Sequence, residues 1–228
     1  MSERTILKAL VGSRAHGLAN AESDSDFRGV FVVPTSDILR IGGHAKRTSW
    51  IERDDSGSAI NDDVSWEVAH FLHLATKCNP SILEAMAAPT FEADEWGREL
   101  RTLLPFVWNP KAVRDAFVGY GLNQRKKMLD DKDGRPWKYA CAYLRTLAAG
   151  VHLLTVGEVL VDTRGHEVHP LLVRFKAGDT MKGEVINACE DWTRRIDAAL
   201  AECRHEPNLE PVNDYLLRLR HAHWTNSP

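Results

Sequence analysis

The sequence has few cysteines and no cysteine pair of the CxxC kind. Its four cysteines lie far apart, at Cys78, Cys141, Cys189 and Cys203. Zinc ribbons and disulfide frameworks both need closely or regularly spaced cysteines, so this spacing argues against both. We expect a chain that folds in a reducing compartment, which predicts a cytoplasmic location.

Long apolar runs and an excess of basic residues are also missing. No stretch approaches the roughly 20 apolar residues of a membrane span, and the N-terminal MSERTILKAL carries charges where a signal peptide is apolar. We therefore expect neither a signal peptide nor a membrane anchor. The formal charge of −3 argues against a protein that coats nucleic acid without specificity.

One local basic cluster stands out against this charge balance. Three aspartates interrupt it, so the pattern fits either a solvated helix end or a track that binds phosphates. Its basic members are Arg125, Lys126, Lys127, Lys132, Arg135 and Lys138.

The hydrophobic pattern changes near residue 65. Before it, short β-rich runs predict strands at 5–11, 27–33, 38–41, 48–52 and 61–66. After it, the period is helical and predicts helices at 65–78, 80–88, 110–129, 136–156, 182–203 and 209–222. A chain of 228 residues is one large domain or two small ones.

Two aspartates stand at alternate positions in the stretch SDSDFRG. In a strand, residues two apart point to the same side, so Asp24 and Asp26 are expected to project together. Neighbouring carboxylates repel unless a divalent cation neutralises them, and all-oxygen ligation favours Mg²⁺ or Mn²⁺. The pair therefore predicts a metal site.

Upstream of the pair, Gly12 and Ser13 follow an apolar run, where we expect a strand to end and a short helix to begin near Arg14. Glycine permits close backbone approach, free amides at a helix start bind phosphate, and the Ser13 hydroxyl adds a donor. A phosphate cradle beside a metal-binding pair indicates two-metal chemistry on a nucleoside triphosphate.

Such a site commonly needs a third carboxylate, and the stretch INDDVSWEV offers three: Asp62, Asp63 and Glu67. If Val64, Trp66 and Val68 face the core, strand alternation places Asp63 and Glu67 on the opposite face. We favour Asp63, because it lies in the strand-like part and Glu67 already fits the first turn of a helix. All three remain candidates.

The stretch GSRAHG, followed by SDSDFRGVFV, resembles the active-site signature of the DNA polymerase β-like nucleotidyltransferase superfamily. It is most similar to predicted nucleotidyltransferases of bacteria and phages, which include the RNA-ligase-associated RNA 3′-end nucleotidyltransferases. The resemblance continues through residues 63–86, with Asn79, Pro80 and Glu84, and through the helix that carries Lys138. It covers about residues 7–160.

The resemblance implies an α/β (α+β) fold, with a small mixed sheet in a polymerase β-like core and a helical C-terminal half. It implies a catalytic domain over 1–110 and a helical domain over 111–228. Carried over to this sequence, Gly12 and Ser13 hold the triphosphate, and Asp24, Asp26 and Asp63 are the catalytic and metal-binding residues. Related sequences often have histidine where Ala142 stands.

Four basic residues are further candidates for nucleotide binding. Lys138 and Arg145 lie on one stripe of a helix, away from the stripe that includes Leu144 and Leu147, so both cations are candidates to face one cleft. Arg14 and Arg28 flank the aspartate pair, and Arg28 shares the predicted strand face of Asp26. His16 is assigned no acid role.

These residues predict a metal-dependent nucleotidyltransferase that uses Mg²⁺ or Mn²⁺ and a nucleoside triphosphate such as ATP. The favoured acceptor is an RNA 3′ hydroxyl, as in RNA repair, with release of pyrophosphate. Transfer to a protein or small-molecule hydroxyl and a catalytically silent, antitoxin-like binding module are alternatives. A metal-dependent glycosyltransferase also uses Asp-x-Asp, but it gives no reason for Gly12 and Ser13.

Overall fold

A computed structural model describes residues 3–21, 23–41, 52–53, 59–61 and 64–224. Within these residues, two sheets contain all the strands. The strands are β1 (Arg4–Val11), β2 (Asp26–Val32), β3 (Glu52–Arg53), β4 (Ala59–Asn61), β5 (Val64–Glu67) and β6 (Phe91–Ala93).

The larger sheet is mixed and has the strand order β5-β2-β1-β6. β1 runs antiparallel to β2 and β6, whereas β2 and β5 are parallel, so the chain crosses over between them. The register places Val11 opposite Asp26 and Arg28 beside Val64. The end of β1 and the start of β2, the two central strands, therefore lie next to each other at one end of the sheet.

Helices make up most of the described chain after β5. None of the described helices is long and apolar enough to cross a membrane. The helices are α1 (Gly12–Ala15), α2 (Thr35–Leu39), α3 (Val68–Thr76), α4 (Pro80–Ala87), α5 (Glu95–Thr102), α6 (Leu104–Val107), α7 (Pro110–Leu129), α8 (Pro136–Val156), α9 (His169–Ala177), α10 (Lys182–Glu202) and α11 (Glu210–Ala222).

Local capping signals explain several of these boundaries. The side chain of Asn79 accepts hydrogen bonds from the backbone N–H groups of Ser81 and Ile82, and Pro80 occupies the first helical position of α4. Asn109 and Pro110 open α7 in the same way. Because the cap and the proline are both visible in the sequence, these helix starts are the best predicted.

The long helices agree with the sequence predictions to within a residue or two, but the prediction of a strand at 38–41 is wrong. Thr35–Leu39 is the helix α2, whose Asp37 lies in the first turn, where a carboxylate is favourable. The run 48–52 lies outside the described residues except for Glu52. The sequence patterns also did not predict α5, α6, α9 and the three-residue strand β6.

The core runs without a break from the sheet to the last helix. One cluster of buried side chains includes Leu7 and Val30 of the sheet, Leu147 of α8 and Leu219 of α11. α8 packs against α7, α9 and α10 at the centre of the helical half. The fold is thus a mixed sheet flanked by helices with a helical C-terminal half, as the sequence predicts.

Candidate active site

The turn between β1 and α1 is built against the carboxylate of Asp26. Gly12 has a φ of +72°, in the left-handed region that glycine adopts without strain. A Cβ at Gly12 would lie 2.9 Å from Asp26 Cγ and closer still to Oδ2. Only a residue without a side chain therefore lets Asp26 lie beside the turn.

Asp24 lies just before this strand and not within it. β2 begins at Asp26, so strand alternation does not relate the two aspartates as the sequence suggested. The Asp24 side chain is exposed. Arg14 of α1 donates to the backbone carbonyl of Ser23 from Nε at 3.1 Å and from Nη2 at 2.6 Å. These two hydrogen bonds of Arg14 thus connect the Gly12–Ser13 turn to the segment that carries Asp24.

A buried carboxylate, Glu84 of α4, lies behind the turn and accepts three donors. His16 Nε2 lies 2.7 Å from Oε1, Arg145 Nη1 lies 3.0 Å from Oε2, and the backbone N–H of Gly12 approaches Oε1 at 3.5 Å. Gly12 begins α1, His16 follows its last residue, and Arg145 lies in α8. We call them, with Glu84, the Glu84 cluster: Gly12, His16, Glu84 and Arg145.

Burial and neighbouring charges determine the pKa values of the ionisable side chains in this cluster. Burial opposes ionisation of Glu84, but Arg145 and His16 hold its pKa well below the usual range. The pKa of His16 is also lowered, because burial and the Arg145 charge outweigh the attraction of Glu84. Since an ionised carboxylate only accepts hydrogen bonds, neutral His16 carries its proton on Nε2.

The structure separates the two cations predicted on α8. Arg145 points at Glu84 and is largely buried, whereas Lys138 lies in the first turn of α8 and is exposed. Seven residues of helix place them about 10 Å apart along the axis. Arg28 lies in β2, and its Nη1 donates to the carbonyl of Phe27 at 2.8 Å.

Of the three candidates for a third carboxylate, Asp62 and Asp63 lie outside the described residues. Glu67 is described, and its two oxygens are already engaged. Oε2 accepts the N–H of Ala69 and caps α3, while Oε1 accepts from Arg220 Nη2 of α11 at 2.6 Å. Glu67 therefore has a structural role, and it links the sheet to the last helix.

The helical half also contacts the turn from its other side, and no pattern in the sequence indicates these contacts. The Thr163 hydroxyl donates to the carbonyl of His16 at 2.8 Å, and Lys176 Nζ of α9 donates to the carbonyl of Leu18. The described helical half thus contacts the segment from Gly12 to Leu18 through Thr163 and Lys176, while Arg145 binds Glu84 behind the turn.

Asp24 and Asp26 offer only oxygen ligands, a donor set that suits Mg²⁺ or Mn²⁺. The carboxylate of Asp26 against the Gly12 turn fits a cation shared with a phosphate. In the part of the chain that the structure describes, no three His, Cys, Asp or Glu side chains are grouped so that they could hold a metal ion. The favoured third carboxylate, Asp63, lies outside that part.

Comparison with known proteins identifies the family of the chain. A family model described as "RNA repair pathway DNA polymerase beta family", RlaP, matches residues 2–218. The chain belongs to the RlaP family. A 38.9 kDa protein in the nrdC-mobD intergenic region of Enterobacteria phage T4 is 32% identical to it over 138 residues. That match covers 54% of this chain and 38% of the phage protein, so the chain spans well under two thirds of that relative.

Membership of the RlaP family confirms the resemblance to polymerase β-like proteins. The family implies a nucleotidyltransferase, and its description associates it with RNA repair. The match extends through most of the helical half, which includes Thr163 and Lys176, which contact the turn, and Arg145, which binds Glu84.

Substitution of Gly12 by alanine tests the packing of the turn. We expect a loss of stability of about 1–2 kcal/mol from the left-handed backbone, together with loss of nucleotide transfer, because the new methyl group displaces Asp26. Gly134→Ala is the matched control, since Gly134 has a φ of +64° and a Cβ there meets nothing within 4 Å. Urea unfolding and nucleotide incorporation measure both effects; equal activity of the two variants would contradict the assigned packing.

Proposed function

We propose that this chain transfers a nucleoside monophosphate from a nucleoside triphosphate to the 3′ hydroxyl of an RNA without a template. The observation that carries the proposal is the packing of Asp26 against the positive-φ Gly12 turn. It brings a carboxylate and a phosphate cradle together in a member of an RNA repair family. In this proposal residues 1–110 carry the chemistry and residues 111–228 help to hold the substrates.

The turn supplies donors for the triphosphate. The N–H of Gly12 is directed at Glu84, so we assign phosphate binding to the N–H and hydroxyl groups of Ser13 and the peptide groups that follow. N–H groups in the first turn of a helix have no intrahelical acceptor, which leaves them available to phosphate oxygens. Arg28 and Lys138 are proposed to bind the same anion, and Arg14 and Arg145 to position the turn.

The reaction proposed is an in-line displacement at the α-phosphorus. The RNA 3′ oxygen forms the new P–O bond, the bond to the bridging oxygen of the β-phosphate breaks, and pyrophosphate leaves. Asp63 is proposed to take the hydroxyl proton. Mg²⁺ or Mn²⁺ held by Asp24, Asp26 and Asp63 would supply charge neutralisation for the attacking and leaving oxygens.

The direct test uses short RNAs that differ only at the 3′ end. The protein is incubated with each labelled nucleoside triphosphate, with Mg²⁺ or Mn²⁺, and with an RNA ending in a 3′ hydroxyl or in a 3′ phosphate. We expect label on the first RNA alone, resolved on a gel as single added nucleotides, with release of pyrophosphate. Label on the protein or on a small molecule would identify another acceptor, and no pyrophosphate with any acceptor would indicate a binding module.

A further inference from the structure

An open groove of about 540 Å³ lies between α4, β6, α5, α6 and the turn after α8. Its lining includes two arginines, one exposed aromatic ring and one carboxylate. These residues are Phe91, Arg98, Arg101 and Glu158.

Arg101 is a half-buried cation with unused donors. Its guanidinium lies 3.7 Å from the centroid of the Phe91 ring, and Nη1 reaches the carbonyl of Ala85 at 3.5 Å. Burial lowers the pKa of Arg101, but a guanidinium stays charged in proteins. Across the described residues, Arg101 forms no ion pair with a carboxylate, and its contacts are the Phe91 ring and the Ala85 carbonyl. A guanidinium that forms no ion pair is suited to an anionic ligand.

Phe91 and Arg98 extend this surface. The Phe91 ring is 38% exposed although it is large and apolar. Arg98 lies one helical turn before Arg101 on α5, is exposed, and donates to the carbonyl of Ala93 at 2.7 Å. An aromatic ring stacked on a guanidinium, with a second guanidinium beside it, is the combination that proteins use to stack bases and bind phosphates of single strands.

The register of β6 relates the groove to the candidate active site. Phe91 is paired with Ala9 of β1, three residues before Gly12, which corresponds to about 10 Å along the strand. Glu158, which also lines the groove, lies shortly before Thr163, whose hydroxyl donates to the His16 carbonyl. These separations are short enough for a strand with its 3′ end at Asp26 to reach the groove within a few nucleotides.

We propose that this groove binds the single-stranded segment of RNA just upstream of the 3′ end, with a base stacked on the Phe91–Arg101 pair and a phosphate on Arg101. That the bound strand is RNA rests on the proposed function. The binding surface itself is argued from the groove residues alone. Glu158 limits the attraction for phosphate and can accept hydrogen bonds from the 2′ hydroxyl or from exocyclic amines, donors that an RNA strand presents.

The test measures RNA binding without turnover. Fluorescence anisotropy of a labelled single-stranded RNA with a 3′ hydroxyl is followed with no nucleoside triphosphate present. We expect Arg101→Gln and Phe91→Ala each to weaken binding by about tenfold. Arg101→Gln should also reduce the salt dependence of log K by about 0.7, the value for one phosphate contact on a single strand, whereas Phe91→Ala should leave it unchanged.

Two control variants and one conservative variant accompany these measurements. Phe106→Ala removes a neighbouring exposed ring that does not line the groove, and Lys127→Gln removes a cation that lies over Tyr139 in the interrupted basic cluster. Both should bind RNA like the wild type. Arg101→Lys keeps the charge and should retain the salt dependence while losing affinity. Thermal unfolding checks that each variant is folded.

The outcomes separate this proposal from the proposed function. Unchanged binding in folded Arg101→Gln and Phe91→Ala, or an equal loss in Lys127→Gln or Phe106→Ala, would overturn the groove assignment. Tighter binding of a fully double-stranded RNA would do so too, because stacked bases are not available to Phe91. RNA binding that depends on Phe91 and Arg101, together with no nucleotide incorporated when a nucleoside triphosphate and Mg²⁺ are supplied, supports the groove and refutes the proposed transfer.

Discussion

The variant Asp26→Asn is expected to lose nucleotide transfer while it keeps the wild-type fold. Asparagine has the same shape as aspartate, so the packing against Gly12 persists, but the negative charge that holds the cation is removed. Loss of about 4 kcal/mol of transition-state stabilisation corresponds to a decrease of about 10³-fold in rate. Incorporation of labelled nucleotide into RNA, measured in single-turnover conditions, gives this rate.

Asp214→Asn is the matched control for the same chemical change. Asp214 is an exposed residue of α11, and its replacement should leave both the rate and the unfolding midpoint unchanged. Asp24→Asn should act like Asp26→Asn if both carboxylates hold the cation. An Asp26→Asn protein that incorporates nucleotide at close to the wild-type rate would remove Asp26 from the proposed mechanism.

The proximity of Gly12 to Asp26 could be predicted from the sequence, because the two residues are close in the chain. An apolar run that ends at Val11, a glycine, and a second β-rich run that begins at Phe27 predict two neighbouring strands. The antiparallel register of β1 and β2 then places Val11 opposite Asp26. The start of α4 was accessible for a similar reason, since Asn79 and Pro80 are strong signals for the first turn of a helix.

The contacts of the Glu84 cluster could not be predicted from the sequence in the same way. Helical periodicity places Arg145 away from the stripe that includes Leu144 and Leu147, but it does not identify the partner of the guanidinium, which lies 61 residues away at Glu84. The hydrogen bond between Thr163 and His16 spans 147 residues and has no pattern in the sequence. β6 was missed because a strand of three residues is defined by its pairing with β1 and not by its own composition.

Glu84→Ala is expected to be the most destabilising of the substitutions considered. It leaves the Arg145 charge and the His16 N–H without their acceptor in the interior, and loss of one partner of a buried ion pair costs about 3–5 kcal/mol. Urea unfolding measures the loss in the free energy of unfolding. Glu190→Ala, an exposed change on α10, is the control and should differ from the wild type by less than about 0.5 kcal/mol.

A double-mutant cycle distinguishes the ion pair from a simple cavity. Arg145→Met removes the charge and retains much of the side-chain volume. The protein that carries both Glu84→Ala and Arg145→Met should be less destabilised than the sum of the two single variants, because neither charge is then left unpaired. Additive losses would show that Glu84 stabilises the protein through packing alone.

The stabilising effect of Glu84 should also depend on pH in one direction. Because its folded pKa is depressed, the carboxylate contributes its full stabilisation above its ordinary value of 4.5 and loses it as the pH falls towards the folded pKa. The difference in unfolding free energy between the wild type and Glu84→Ala should therefore be largest near neutral pH and shrink below 4.5. A difference that stays constant from neutral pH down to acid would mean that Glu84 is not ionised in the folded protein, and the charge assignment of the whole cluster would fail with it.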